Sequence, residues 1–286
     1  VRRMMMPVGT EIVGMLIETG WSSELVLRLA IQRINDLPNG FDGSISSLGV
    51  IPRYRKFNRM ANLFDRLVAR GDMVLTMVPN HHFPITSWDF KNPNNFKSGT
   101  VIKNTWESTD NPLLLNVRRS ARKKGSATER DLKELVDLLG FPLENFKPRN
   151  ELNPNFDSVF VQNLIRPGYK GDVWIQTRSL QETLYALSWA VQVPPEAEEN
   201  GEVHVITGPD GQRFDWKQMY KDLLTIHWSP SKPEEAAIAI PYQGNWYYLA
   251  KNDIPSKQTF VLLAQMTKML SGLGSGNAPT LTLPVQ

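Results

Sequence analysis

The residues able to do acid–base, nucleophilic or metal chemistry are scattered along this chain, not gathered into a signature. Four histidines are present. His81 and His82 are adjacent, and neighbours in an extended chain point to opposite sides, so they do not share one ion easily. His204 and His227 fall in segments that read as strands. No HExxH occurs, and there is no cysteine. Disulfides, thiolate catalysis and cysteine metal sites are therefore excluded. Neither GxxxxGK[ST] nor GxSxG is found. Gly272, Gly274 and Gly276 superficially suggest a phosphate loop, but they follow a helix, whereas a dinucleotide site needs a strand before the glycines and a helix after. No cofactor and no metal site is expected. A hydrolase built on paired carboxylates stays open as an alternative, because spacing along the chain is not spacing in space.

Two features carry more promise. One is the basic run "VRRSARKKG", in which Arg118, Arg119, Arg122, Lys123 and Lys124 occur without an acid. It suits phosphate oxygens or an anionic headgroup surface, but a solvated loop ahead of the Ser126 helix is the preferred explanation. A second basic group, Arg53, Arg55, Lys56 and Arg59, opens a helix. Aromatics are not interleaved with the run, as a single-strand binder requires. The net charge is only +3, so nucleic acid is not expected as a partner.

The other is the corner "GNWYYLAKNDIPSKQTFVLLAQM", Gly244 to Met266. It reads as an aromatic strand, a polar turn and an apolar helix. Gly244 closes a hairpin. Trp246 and Tyr248 share one strand face, with Tyr247 and Leu249 on the other. One face should meet the core and the other a helix or partner. Asp253 or Ser256 caps the helix, which leaves Lys257 in the first turn. There the helix dipole disfavours a cation by about 0.3–1 kcal/mol.

The elements that position these residues follow from periodicity. Helices are expected over Glu11–Thr19, stopped by Gly20, and over Glu24–Asp36, stopped by Pro38. An amphipathic helix spans Tyr54–Ala69 and a buried strand Met73–Val78. The stretch 79–112 is a long irregular segment. Ser126 and Glu129, like Ser179 and Glu182, have capping-box spacing and open helices to Gly140 and to about Val191. Strands are expected over Asp172–Thr177, Val203–Thr207, Leu223–Trp228, Ala236–Tyr242 and Trp246–Ala250. A helix over Ser256–Leu270 and a last strand in "LTLPV" close the chain. The Thr177–Ser179 and Asp253–Ser256 corners look faintly alike.

Four blocks together, 18–39, 175–196, 237–266 and 278–285, resemble uncharacterised predicted lipoproteins of Gram-negative bacterial envelopes. The matching positions are Gly20, Trp21, Ile34, Asn35, Thr177, Arg178, Ser179, Tyr242, Gly244, Trp246, Tyr248, Ser256, Lys257, Thr259 and Phe260. Tyr247 departs from a usual phenylalanine, and "NDLPN" from an Asn-Gly-Leu pattern. The resemblance implies a longer precursor with a lipidated cysteine upstream of Val1, and thus a periplasmic protein anchored to the outer membrane. It supplies no activity, so these positions are signature residues of unknown role.

Hydrophobic residues make up 41% and charged residues 21% of the 286, as in ordinary globular proteins. The expected architecture is a single α+β domain with a mainly antiparallel sheet and helices packed against it. The expected role is a non-enzymatic envelope scaffold or assembly component with protein partners or copies of itself. The alternatives are a module binding an anionic ligand (lipid headgroup, cell-wall polymer or nucleic acid) and an unrecognised hydrolase.

Overall fold

The computed structural model describes residues 2–40, 51–77, 113–148, 154–163, 173–208 and 210–272. The expectations for 79–112 and for "LTLPV" lie outside them, as do His81, His82 and the glycines at 274 and 276. The described part is α+β.

Helix α1 (Thr10–Glu18) stops as its glycine requires, with Gly20 at φ +95°. Helix α2 (Ser23–Ala30) is shorter than the periodicity predicts. At Ile31 the chain turns directly into strand β1 (Ile31–Ile34) and pairs with β2 (Leu37–Pro38). The expected helix over Glu24–Asp36 is thus a helix-to-strand switch. The reason is tertiary. Carbonyls of the last α2 turn need partners, and distant side chains provide them. Arg178 Nη1 donates to Arg28 O at 3.0 Å, and Asn39 Nδ2 to Arg28 O and Ile31 O at 2.8 Å each. Thr183 Oγ1 donates to Leu29 O at 3.4 Å, and the Arg178 amide to Ala30 O at 2.7 Å.

Helix α3 (Arg55–Ala69) buries Phe57, Met60, Leu63, Phe64 and Leu67. Helix α4 (Ala127–Leu139) buries Leu132, Leu135, Val136 and Leu139, as its pattern predicts. Full burial of one such side chain contributes about 1.5–3 kcal/mol. Polar pairs rim this interface. Arg59 grips Glu134 with two bonds of 2.6 Å, and Arg70 meets Asp131 at 2.7 Å.

Strands β3 (Met73–Met77), β4 (Leu113–Arg118), β5 (Phe156–Asn163) and β6 (Val173–Thr177) complete a six-stranded sheet in the order β2-β1-β6-β5-β4-β3. All pairs are antiparallel except β5 with β6. β4 and β5 carry no clear alternation and were not expected. β4 is buried from Leu113 to Val117, so its face periodicity is erased. Its one buried polar residue, Asn116, donates to Val74 O and Thr76 Oγ1 and accepts from Ser158 Oγ at 2.6 Å.

The C-terminal third departs from the expected meander at two places. Val203–Thr207 forms only a single bridge, Thr207 to Arg213. Leu223 and Leu224 are buried in a turn after the short helix α7 (Trp216–Met219), and strand β7 covers only His227–Ser229. Helix α5 (Leu180–Ser188) and helix α6 (Pro195–Glu199) precede this region. β8 (Ala236–Tyr242) and β9 (Asn245–Ala250) form the expected hairpin. Gln243 at φ 48° and Gly244 at φ 78° close it in two residues, the left-handed pair of a type I′ turn. A second sheet, β7-β9-β8, is antiparallel throughout. Helix α8 (Ile254–Gly272) follows.

Candidate functional site

The signature positions form joints. Arg178 is buried, and its guanidinium donates to the carbonyls of Arg28, Leu29 and Asn39. Its own carbonyl accepts from Val8 N at 2.9 Å. The N-terminal segment, the α2 switch and the start of α5 therefore meet at one side chain. Burial pushes the pKa of Arg178, and of nearby buried Arg28, below the ordinary arginine value. Ser179 and Glu182 complete the capping box of α5. Thr177 is buried in β6, paired with Ile31. Asn35 adopts φ 48° after β1. It accepts from Trp174 N at 2.7 Å and donates to Leu139 O at 2.6 Å. Trp21 Nε1 donates to Gln265 Oε1 at 3.0 Å, which ties the turn after Gly20 to α8.

The Ser256–Lys257 corner works the same way. Asp253 Oδ1 accepts from Ser256 N at 3.1 Å, and Ser256 Oγ donates to Asp253 Oδ2 at 2.5 Å. Ser256 Oγ also accepts from Thr225 N at 2.8 Å, and Thr259 Oγ1 donates to Leu223 O at 2.6 Å. Both side chains are buried. Lys257 Nζ donates to the carbonyl of Lys251, the residue that follows β9.

The basic run is partly neutralised by an acid supplied from β5. Arg119 Nε reaches Asp157 Oδ1 at 2.8 Å and Arg122 Nη1 reaches Asp157 Oδ2 at 2.7 Å. Arg118 lies over the Phe156 ring, 5.8 Å from its centroid. Lys123 and Lys124 are exposed. The run is thus an ordered connection between β4 and α4, and two of its five charges face a carboxylate. In the second group, Arg55 donates to Gln218 Oε1 at 3.3 Å and Arg59 holds Glu134.

The surfaces left over are aromatic and apolar. Trp189, Phe214, Trp216, Tyr220 and Trp228 line a cleft of about 470 Å³. Trp189 and Trp216 stack at 4.4 Å between ring centroids, and Phe214 meets Trp216 edge-on at 4.6 Å. The Tyr220 hydroxyl donates to the Ala186 carbonyl, and burial pushes its pKa up to about 12. The rim carries Glu198 paired with Arg213, Asp215 accepting from Gln218 N at 3.1 Å, and Lys217. No histidine lines the cleft. These residues were not singled out from the sequence. The available signal was aromatic density: Phe214, Trp216, Tyr220 and Trp228 fall within fifteen positions, a pattern that resembles ordinary core.

Beside the cleft stands the β7-β9-β8 sheet. Register places Trp228, Tyr247 and Ile240 on one face and His227, Tyr248 and Ala239 on the other. Lys232 covers Trp246 at 5.6 Å and His227 lies against Tyr248 at 5.2 Å. Leu249 is buried, but on the same face Ile238 is 48%, Ile240 60% and Tyr242 60% exposed. Trp246 and Tyr248 do share a face, and Tyr247 and Leu249 the other.

Among the described residues, no three His, Cys, Asp or Glu side chains are placed to hold a metal ion. No described helix is long and apolar enough to cross a membrane. Fold and surfaces define an α+β protein with a mixed six-stranded sheet and a separate three-stranded antiparallel sheet. Set against protein-family models, curated proteins and solved structures, the chain matches none.

Proposed function

We propose that this chain is a non-enzymatic envelope lipoprotein, a scaffold or assembly component that joins a second copy of itself through strand β8. The observation that carries the reading is the exposed apolar row Ile238, Ile240 and Tyr242 on an edge strand. Exposed rows of this kind mark interaction sites. The backbone edge itself offers little. The two-residue turn makes Tyr242 and Asn245 a hydrogen-bonded pair, so Ala239 and Pro241 turn their backbone groups outward. Pro241 has no N–H to donate, which blunts strand addition. Side chains must make the contact.

A second copy is the favoured occupant because Ala236–Tyr242 carries no charge. Two such strands meet about a two-fold axis without like-charge repulsion, each offering the same patch. The signature corners support the non-enzymatic reading, since Arg178, Ser256 and Thr259 spend their side-chain polar atoms on backbone groups. The envelope address and an upstream lipid anchor rest on the resemblance alone.

Mass measurement of the protein extracted from membranes in mild detergent tests the proposal. We expect a dimer or larger homo-oligomer that Ile240→Lys converts to monomer with the fold intact. A wild-type monomer, or a complex held by a different envelope protein, would refute self-assembly through β8. Incorporation of a labelled fatty acid into the precursor tests the anchor; its absence removes the lipoprotein assignment.

A further inference from the structure

We propose that the aromatic cleft between α5, α7 and β7 is a binding site for a neutral oligosaccharide. Its volume, about 470 Å³, falls within the roughly 300–1,000 Å³ typical of small-ligand sites. Its walls combine flat apolar rings with a few polar side chains. That combination suits a pyranose, which has C–H faces that pack on aromatic planes and hydroxyls around its edge that bond to carboxylates, guanidinium and amides.

The tryptophans differ in a way that points to the contact. Trp189, Phe214, Trp216 and Tyr220 stack or meet edge-on and form a fixed wall. Trp228 lines the same cleft from β7, is half-buried, and has no ring partner among the described residues. Its indole, seated in the cleft lining, is the ring the proposal assigns to contact a ligand. The wall behind it is held by Tyr220, whose hydroxyl is anchored to the Ala186 carbonyl.

Charge narrows the ligand class. Glu198 and Asp215 oppose Arg213 and Lys217 on the rim, so the cleft has no net sign. An anionic nucleotide or lipid headgroup would find two acids there, and a quaternary cation two bases. A hydroxyl-rich neutral molecule meets donors and acceptors in equal number. An extended peptide adding as a strand is disfavoured by the backbone. Gln192 N already donates to Ile226 O at 2.8 Å, and Ile226 N to Ala190 O at 3.2 Å. Recognition is left to side chains.

The site and the β8 contact lie on different strands of the same sheet face, Trp228 on β7 and Ile240 on β8. β7 and β8 flank β9 on opposite sides, about 10 Å apart at ordinary strand spacing. Calorimetric titration of the full chain with the N-acetylglucosamine tetramer and with cellotetraose tests the inference, with indole fluorescence as a second readout. We expect saturable binding of at least one probe. Trp228→Ala should weaken it about tenfold and Trp228→Phe by no more than about threefold, since phenylalanine keeps a flat face. Arg213→Ala, on the exposed rim, should weaken it about threefold and leaves the aromatic wall in place should Trp228→Ala fold poorly. The inference is overturned if neither probe saturates, if binding is unchanged in both Trp228→Ala and Arg213→Ala, or if a proline-rich peptide saturates the cleft and the sugars do not. Ile240→Lys should leave sugar binding unchanged, which separates this site from self-assembly.

Discussion

The two sheets of this molecule are built from similar residues and treated oppositely. β4, "LLLNVR", is buried along five of its six positions, flanked by strands on both sides. β8, "AAIAIPY", has a comparable apolar content, yet Ile238, Ile240 and Tyr242 stand in solvent. Local sequence does not make the difference. β4 lies between β3 and β5 with α1 against it, and its residues on both faces are buried from Leu113 to Val117. β8 is an edge strand whose partner on one side is β9 and on the other is nothing within the described chain. In a monomer the first arrangement stabilises the fold, and the second leaves apolar area in water. We read the first as architecture and the second as a surface meant for contact.

Breaking the architecture should cost most. Arg178→Met removes donors from the carbonyls that end α2 and leaves them buried, with an expected loss of about 3–5 kcal/mol. Urea melts would register it as a shift of the midpoint. A midpoint unchanged within error would mean that the α2 switch does not depend on this guanidinium.

Tyr220 ties the cleft wall to the same buried region, and its titration provides a milder break. Its folded pKa, about 12, lies above the ordinary tyrosine value of 10.0. A pKa raised on folding contributes stability that is complete below the unfolded pKa and is lost as pH rises through the folded one. Stability should therefore fall between pH 10 and 12 by roughly 2–3 kcal/mol. Tyr220→Phe should flatten this alkaline slope. An identical slope in the variant would assign the loss to other groups.

Capping at the α5 corner is a smaller effect. Ser179→Ala removes the acceptor for Glu182 N and should cost about 1 kcal/mol, read as a modest fall in thermal midpoint. Ile240→Lys should be smallest for the fold, within about 0.5 kcal/mol, because its side chain is already largely in water. Its effect should appear in assembly mass instead. Destabilisation by several kcal/mol would show that Ile240 belongs to the core of the free chain, and the contrast between the sheets would collapse.

Periodicity and capping chemistry made several elements legible in the sequence. α3, α4 and the β8–β9 hairpin are amphipathic or bounded by Gly and capping residues, so local energy and tertiary packing agree. The corners at Ser179 and Ser256 were also legible as helix starts, and both use a side-chain oxygen to hold the first turn. What they are for was not. Ser256 and Thr259 read as signature residues, and only the fold shows that they bind the backbone of Leu223–Thr225. The cleft was missed because its aromatics come from separate segments, the end of α5, α7 with its flanks and β7, and each looks like core when taken alone.

The sequence by itself determined which motifs these 286 residues do not contain and where several helices and one hairpin begin. Absent cysteine and absent catalytic motifs are properties of composition, and caps and two-residue turns act over three or four neighbouring positions. The tertiary structure alone decided where α2 becomes β1, which arginines of the basic run meet Asp157, and which apolar strand is covered. Each of those outcomes depends on a partner tens of residues away: Arg178 for the carbonyl of Arg28, Asp157 for Arg122, and the neighbours of β4 that β8 does not have. Local propensity is worth tenths of a kcal/mol per residue, whereas a buried polar group left without a partner costs about 1–3 kcal/mol. Where the two conflict, as at Ile31, the distant partner sets the conformation.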